Sequence, residues 1–450
     1  MWTSEQVLAL APDKGSIKSG RALANSGKWV SLGRSEEAVW GECKGSGKKS
    51  YRTRIDLREP AFRCTCPSRK FPCKHALGLF LLLAEQPEAI SESEPPDWVT
   101  KWLEKRSQTA QRKQAKVAKV TDPEAQAKRA QNREKKVEAG LVDLEQWLQD
   151  IVRQGLATLP NQSYGFWDQA AARLVDAQAP GLARRVRSLA GIPHMGQDWP
   201  ERMLRSLGLL HLLIQGYRQG ETLSPMVQAE VRSQIGWSQS QDELRRLVEQ
   251  KDPLVSCEKD IWQVMGRVTF EESNFKGQRV WLRGSGSQRW ALILNFAYGG
   301  QPLDVSLVSG ACFGGELIFY PGTGVQRAFV AMREEATSQL TGNISGDDRL
   351  DISGAIAQYG KALGQNPWLE HYPLLLNAVI PRFEEDQWWL QDAAGYVLPL
   401  SSRFQKSMQL FAISGGHPLT VFGEWDGEVF LPLGALTDAL TETQYFVMEG

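Results

Sequence analysis

The sequence predicts an α+β multidomain protein with a cysteine-clamped β-β-α finger domain at the N-terminus, then a basic helical linker, a helical bundle and a mainly-β C-terminal region. Three observations carry that prediction. Three cysteines and one histidine fall within twelve residues, in the run RCTCPSRKFPCKH that ends at His75. Between residues 141 and 250, apolar side chains recur at the spacing of an amphipathic helix. From Asp252 onward they gather into short, turn-bounded runs rich in β-branched and aromatic residues.

The finger domain takes residues 1–92. Its stretches 4–10 and 13–24 read as short helices, 29–33 and 38–43 as strands, and 45–47 as a turn. Residues 51–57 alternate, placing Tyr51, Thr53, Ile55 and Leu57 on one face of a strand. Residues 61–66 can pair beside it until Pro67 and Pro72, which lack an amide donor, stop the ladder. From Lys74 the run KHALGLFLLLAE is helical and strongly apolar. Cys64 and Cys66 therefore leave a strand end, while Cys73 and His75 enter a helix, whose positive dipole end favours thiolate.

Thiolate sulfurs at about 2.3 Å and an imidazole nitrogen at about 2.0 Å complete a tetrahedral zinc with no open position. The expectation is one structural Zn2+ held by Cys64, Cys66, Cys73 and His75, making the finger a zinc-clamped β-β-α unit. A catalytic zinc needs an open position, and this ligand set leaves none. Three thiolates with Zn2+ leave a charge of about −1, which Arg69, Lys70 and Lys74 stand ready to offset. Cys43, Cys257 and Cys312 are isolated and read as small core hydrophobes. The start MWTSEQVLAL has no basic segment and no long apolar core, so a cytoplasmic location with reduced thiols is expected.

The pattern C-x-C-x6-C-x-H followed directly by an apolar helix resembles the SWIM zinc finger, with all four metal positions matched. The flanks GRS at 33–35, WGECKGSG at 40–47 and CPSRKFPCKHALG at 66–78 are similar to a bacterial family of SWIM-finger proteins of about this length. The resemblance covers roughly residues 1–90. It implies binding of DNA or protein, and company with MoxR-type AAA ATPases and von Willebrand factor A proteins.

A linker, SESEPPD at 91–97, opens the second region, residues 93–140. Residues 101–140 hold twelve basic residues against five acidic ones. Asp122 and Pro123 form a helix cap and first turn, and Gly140 reads as a helix stop. The tract reads either as a solvated helical linker or as a contact for phosphates. Trp102 is its one aromatic, so base stacking is not suggested by the tract itself.

The helical region, residues 141–250, offers apolar faces through Leu144, Trp147, Leu148, Ile151 and Val152, through Phe166, Trp167, Ala171, Leu174 and Val175, through Leu182, Val186 and Leu189, and through Met203, Leu204, Leu207, the run 210–214 and Tyr217. His211, inside the last run, reads as a core histidine. The mainly-β region, residues 251–450, has strand runs at 262–270, 279–283, 290–296, 303–308 and 317–320, then a helix at 354–363 capped by Ser353. Two similar hairpins follow at 388–400 and 425–433, the second with Asp426-Gly427 as a two-residue turn.

Composition bounds the function. With 42% apolar and 23% charged residues over 450, the chain has ample core and suits about three domains. Basic and acidic residues balance at 52 each, so the chain as a whole is not an obvious polyanion binder. No apolar run reaches the roughly 18 residues of a membrane span, and no membrane partner is expected. The sixteen tryptophans require burial or contact surface. Residues 41–50 fail the P-loop spacing, and neither a G-x-S-x-G nor an H-E-x-x-H motif occurs. His371 and His417 read as having no acid or nucleophile partner nearby in the sequence.

The chain is therefore not expected to be an enzyme. The first reading is a zinc-binding adaptor for a protein partner, with Arg69, Lys70, Phe71 and Lys74 as contact surface. The alternative use of Phe71 is to pack beneath the zinc. The second reading is a nucleic-acid-binding protein using Arg52, Arg54, Arg63, Arg69, Lys70, Lys74 and the basic tract. A hydrolase in the C-terminal region is the third.

Overall fold

The finger domain begins with helices α1 (Ser4–Leu8) and α2 (Lys14–Arg21), followed by an antiparallel sheet of β1 (Trp29–Arg34), β2 (Ala38–Cys43), β3 (Tyr51–Asp56) and β4 (Ala61–Cys64), in that order. Helix α3 (Lys74–Glu85) lies across the sheet and buries Ala76, Leu77, Leu79, Phe80, Leu81 and Leu82 against Val7, Val39, Ile55 and Phe62. This protein's structure, a computed structural model, describes residues 2–8, 10–44, 50–58, 61–68, 70–115, 123–272, 275–298, 303–334, 349–438 and 443–448. The turn expected at 45–47 and the cap expected at Asp122 lie outside the described residues.

The basic tract divides in two. Helix α4 (Asp97–Ala115) starts by docking on the finger, where Val99, Trp102 and Leu103 are buried against Ala38 and Trp40. Arg54 stacks between Trp98 and Trp102, at 5.2 and 5.5 Å from the ring centres, and Arg106 reaches Asp56 at 3.1 Å. So α4 opens as a packed element rather than a solvated one. Helix α5 (Pro123–Gln154) runs straight through Gly140, which is no stop. There a Cβ would sit 2.4 Å from the Cβ of Ala177, so glycine serves close helix packing inside α5.

The bundle continues with α6 (Tyr164–Asp176), α7 (Pro180–Ser188), α8 (Trp199–Arg218), α9 (Pro225–Ile235) and α10 (Gln241–Glu249). Its core joins Leu144, Leu148 and Ile151 of α5 to Trp167, Leu174, Leu182, Val186, Met203, Leu207 and Leu213. Val152, Val175, Leu204 and Leu212, expected on the apolar faces, are instead exposed at the edges of those faces. His211 is not in that core. Its side chain is 54% exposed, with Nδ1 3.9 Å from Glu145, because the buried positions 203, 207, 210, 213 and 214 turn it outward.

The mainly-β region has two bodies. A closed barrel of β5 (Ser256–Glu272), β6 (Phe275–Gly284), β7 (Trp290–Tyr298), β8 (Cys312–Phe319) and β9 (Arg327–Arg333) closes in the order β5-β6-β7-β9-β8, with β7 and β9 parallel. The segment 303–308 is not a strand. Its apolar residues instead serve docking, since Val305, Val308 and Ala311 pack into the finger core and Gln6 donates to the Gly310 carbonyl at 2.9 Å. Cys257, expected as a core residue, is exposed, whereas Cys43 and Cys312 are buried.

The second body holds β10 (Arg349–Leu350), α11 (Ile352–Gln365), β11 (Tyr372–Glu384), β12 (Gln387–Gln391), β13 (Val397–Pro399), α12 (Ser407–Ser414), β14 (Leu419–Trp425), β15 (Phe430–Asp438) and β16 (Thr443–Val447). Its sheet order is β13-β12-β11-β14-β15-β16, with β10 parallel to β11. Asp351, not Ser353, caps α11 by accepting from the Gly354 amide at 2.7 Å. The β14–β15 turn spans four residues rather than two, since Trp425 pairs with Phe430 and Asp426 Oδ1 accepts from the amides of Glu428 and Val429. Among the described residues, no helix is long and apolar enough to cross a membrane.

Candidate metal centre

Strand β4 ends on Cys64, a bend carries Cys66, Cys73 is the residue that caps α3, and His75 lies in its first turn. The fold thus brings together all four expected ligands, whose ligand atoms lie within 4.8 Å of one another. Cys64 Sγ is 3.8 Å from His75 Nδ1. Two ligands of one tetrahedral zinc stand about 3.5–3.8 Å apart, given the zinc–sulfur and zinc–nitrogen lengths, so the donor set fits the ion. Cys73 and His75 are buried, at 6% and 4% exposure, and the imidazole packs against the Tyr51 ring at 5.1 Å.

The electrostatics point the same way. Hydrogen bonding from Cys73, with further bonds from His75 and Thr53 acting against burial, pulls the Cys64 thiol well below its ordinary range. Its hydrogen bond to Cys64, then burial and the neighbouring sulfur charge, push Cys73 up, and burial raises Cys66. Three sulfurs at one point cannot all be thiolates without a cation among them, and zinc supplies that cation while clamping strand to helix.

The residues around the ligands are used unevenly. Lys70 Nζ reaches Asp13 at 2.7 Å, and this bond, with the Ser16 amide, holds the Asp13 carboxyl at about 2. The loop between the ligands is thereby tied to the start of α2, a link that sequence reading missed. Phe71 is 39% exposed and meets Phe62 edge-on at 6.1 Å, so one part of the ring packs and the rest faces solvent. Lys74 is exposed, and Arg69 lies outside the described residues.

Sequence reading also missed a polar knot far from the metal. Arg279 holds Glu424 through two bonds of 2.9 and 2.8 Å, Trp281 Nε1 donates to the same carboxylate at 2.7 Å, and His371 Nδ1 stands 3.7 Å away. His371 therefore has two acidic neighbours that the sequence reading overlooked: Glu370, which precedes it in the chain, and Glu424, from a strand more than fifty residues distant. Burial resists ionisation of Glu424, but Arg279 outweighs it and lowers the carboxyl, while burial lowers His371. No local signal in the sequence joins these positions.

Two family matches agree with this geometry. Residues 56–84 match the SWIM zinc finger, and residues 132–235 match the SWIM-associated four-helix bundle domain. Comparison with curated proteins and with solved structures gave no match. The chain thus carries a SWIM zinc finger, whose Cys64, Cys66, Cys73 and His75 suit one structural zinc ion, and a helical bundle of the SWIM-associated kind.

Proposed function

We propose that this chain is a zinc-dependent adaptor, not an enzyme, whose finger presents a fixed surface to a protein partner in the cytoplasm. The observation that carries this reading is the exposed Phe71 face beside four converging side chains that suffice to close a tetrahedral zinc. Lys74 lies next to that face, and Lys70 anchors the loop from below through Asp13. A loop fixed by metal, proline and ion pair loses little ordering entropy on binding. Arg54 is buried against tryptophans, Arg52 pairs with Glu42 and Lys70 with Asp13, which engages three of the six basic residues a phosphate contact would use and leaves Arg63 and Lys74 exposed. Among partners, MoxR-type AAA ATPases and von Willebrand A proteins are the proposed class, on the resemblance of the finger. The three cysteines outside the metal centre, Cys43, Cys257 and Cys312, are free thiols, which suits a reducing compartment.

The test is direct binding of the purified zinc-loaded chain to a MoxR-type ATPase and to a von Willebrand A protein, with the variant Phe71→Ala plus Lys74→Glu alongside. The expected outcome is binding that the variant loses while its zinc content stays at one per chain. Binding that survives the variant places the partner surface elsewhere, and no binding of either protein refutes the proposed partner class.

A further inference from the structure

A cleft of about 1710 Å3 separates the barrel from the helical bundle, and neither the metal centre nor the Phe71 face takes part in it. The barrel order β5-β6-β7-β9-β8, with β7 parallel to β9, is the 1-2-3-5-4 order of the oligonucleotide/oligosaccharide-binding barrel. In that fold the ligand face is the outside of the second and third strands together with the loop between the fourth and fifth. Here those are β6, β7 and the segment 320–326. The cleft lies on that face: Arg279, Leu292, Leu294, Phe296 and Tyr298 line it from the strands, and Tyr320 from the loop.

We propose that this cleft binds single-stranded nucleic acid. Fold alone does not decide a ligand, but the lining does. Phe296 and Tyr298 are 42% and 58% exposed, and both rest on Phe275 with ring centres 5.5 Å away. Phe270 lies over Gly277, where a Cβ would come within 2.2 Å of the ring, and Arg279 covers Phe270 at 5.2 Å. These rings form a supported platform on which bases can stack. The facing wall is α5, whose Arg129, Lys135 and Lys136 are exposed into the cleft.

Nine Arg and Lys residues line the cleft against five Glu. Arg184 is matched by Glu370 within the lining, and Arg279 and Arg232 by Glu424 and Glu134 outside it. The α5 residues supply the surplus positive charge. An acidic peptide would use that charge but not the aromatic faces, and an oligosaccharide would use the faces but not the charge. The volume exceeds the roughly 300–1000 Å3 of a small-molecule site, which suits a polymer. The basic tract thus has its aromatic complement in the barrel and not within its own sequence. The proposal is independent of the protein partner at the finger.

The experiment is fluorescence anisotropy on the full zinc-loaded chain, with labelled single strands of about 12 nucleotides in DNA and RNA forms. Binding of either form is expected, with affinity falling as salt rises, and the two arms identify the natural polymer. Phe296→Ala with Tyr298→Ala should weaken binding at least about tenfold. Lys135→Gln with Lys136→Gln should weaken it and flatten the salt slope by about one unit. Circular dichroism checks that both variants stay folded, and Phe71→Ala should leave oligonucleotide affinity unchanged. The proposal is overturned if neither form binds, if the aromatic pair proves indifferent, or if polyglutamate competes equally well in wild type and aromatic variant.

Discussion

The finger and the C-terminal β region are each held by buried polar groups, but on opposite terms. In the finger, four ligands within twelve residues converge on one point, and a cation from solution must balance three sulfurs. In the β region the balance is internal. Arg279 and Trp281 of the barrel meet Glu424 of the second sheet across 145 and 143 residues, and no ion is required. Around that knot Met265, Trp281, Phe422 and Leu433 pack together, and Trp290 stacks on Phe422 at 5.3 Å. The difference teaches that the finger is a conditional module, ordered while metal is present, whereas the joint between the two β bodies is set once both have folded.

The largest break in that comparison comes from removing metal. Cys64→Ser with Cys73→Ser should reduce zinc from one per chain to none and unfold the finger, since structural zinc contributes on the order of 10 kcal/mol to such modules. Hydrogen exchange should show lost protection across β3, β4 and α3, with the bundle and barrel retained. Loss of protection throughout the chain would instead make the finger the keystone of the whole fold.

Next is the internal knot. Glu424 is 3% exposed and its partner Arg279 13%, so Glu424→Gln leaves a nearly buried guanidinium without its counter-charge. Breaking a buried pair this way costs about 3–5 kcal/mol. The unfolding midpoint should fall with zinc content unaltered; if zinc falls too, the two regions are coupled.

A smaller effect is expected where bundle meets β region. Glu370 keeps 39% of its side chain exposed, and its partial desolvation would raise it, but bonds from Arg184 and the charges of Arg184, Arg185 and His371 hold it at about 2, below its ordinary 4.5. A depressed carboxyl contributes stability that is whole above about pH 4.5 and is lost as pH falls towards 2. Acid titration of unfolding should therefore show a decline in that window, and the decline should shrink in Glu370→Gln.

The smallest contrast lies within one helix. Arg133 donates to the carbonyls of Gly236 and Gln178 at 2.9 and 3.3 Å and lies 4.1 Å over Trp237. Arg133→Gln should cost about 1–2 kcal/mol, while Lys135→Gln with Lys136→Gln should stay within about 0.5 kcal/mol. Denaturant midpoints measure both.

The finger was legible because its chemistry is adjacent in sequence. Two ligand pairs flank a proline-bounded loop, and an apolar helix follows at once, so spacing alone predicts both the ion and the fold around it. The barrel was half legible. Period-two runs announce strands at β5, β6 and β7 but do not say which strands pair. The 17 residues of β5 divide their pairing between β6 and β8, and closure depends on β7 meeting β9 in parallel. Segment 303–308 misled because alternating apolar residues read alike whether they join a ladder or dock on another domain. Gly140 misled because its meaning lies in Ala177, in the turn that ends α6.

Helix α5 carries a practical consequence for dissection. Its 32 residues, about 48 Å at 1.5 Å per residue, begin in the wall of the cleft and end in the core of the bundle. A fragment cut near residue 140, where the basic composition ends, would halve one continuous rod, exposing Leu141 and Leu144 on one product and stranding Val137 on the other. Pieces meant for crystallisation or binding assays should be divided between Ala115 and Pro123, so that the rod travels whole with the bundle and the barrel it faces.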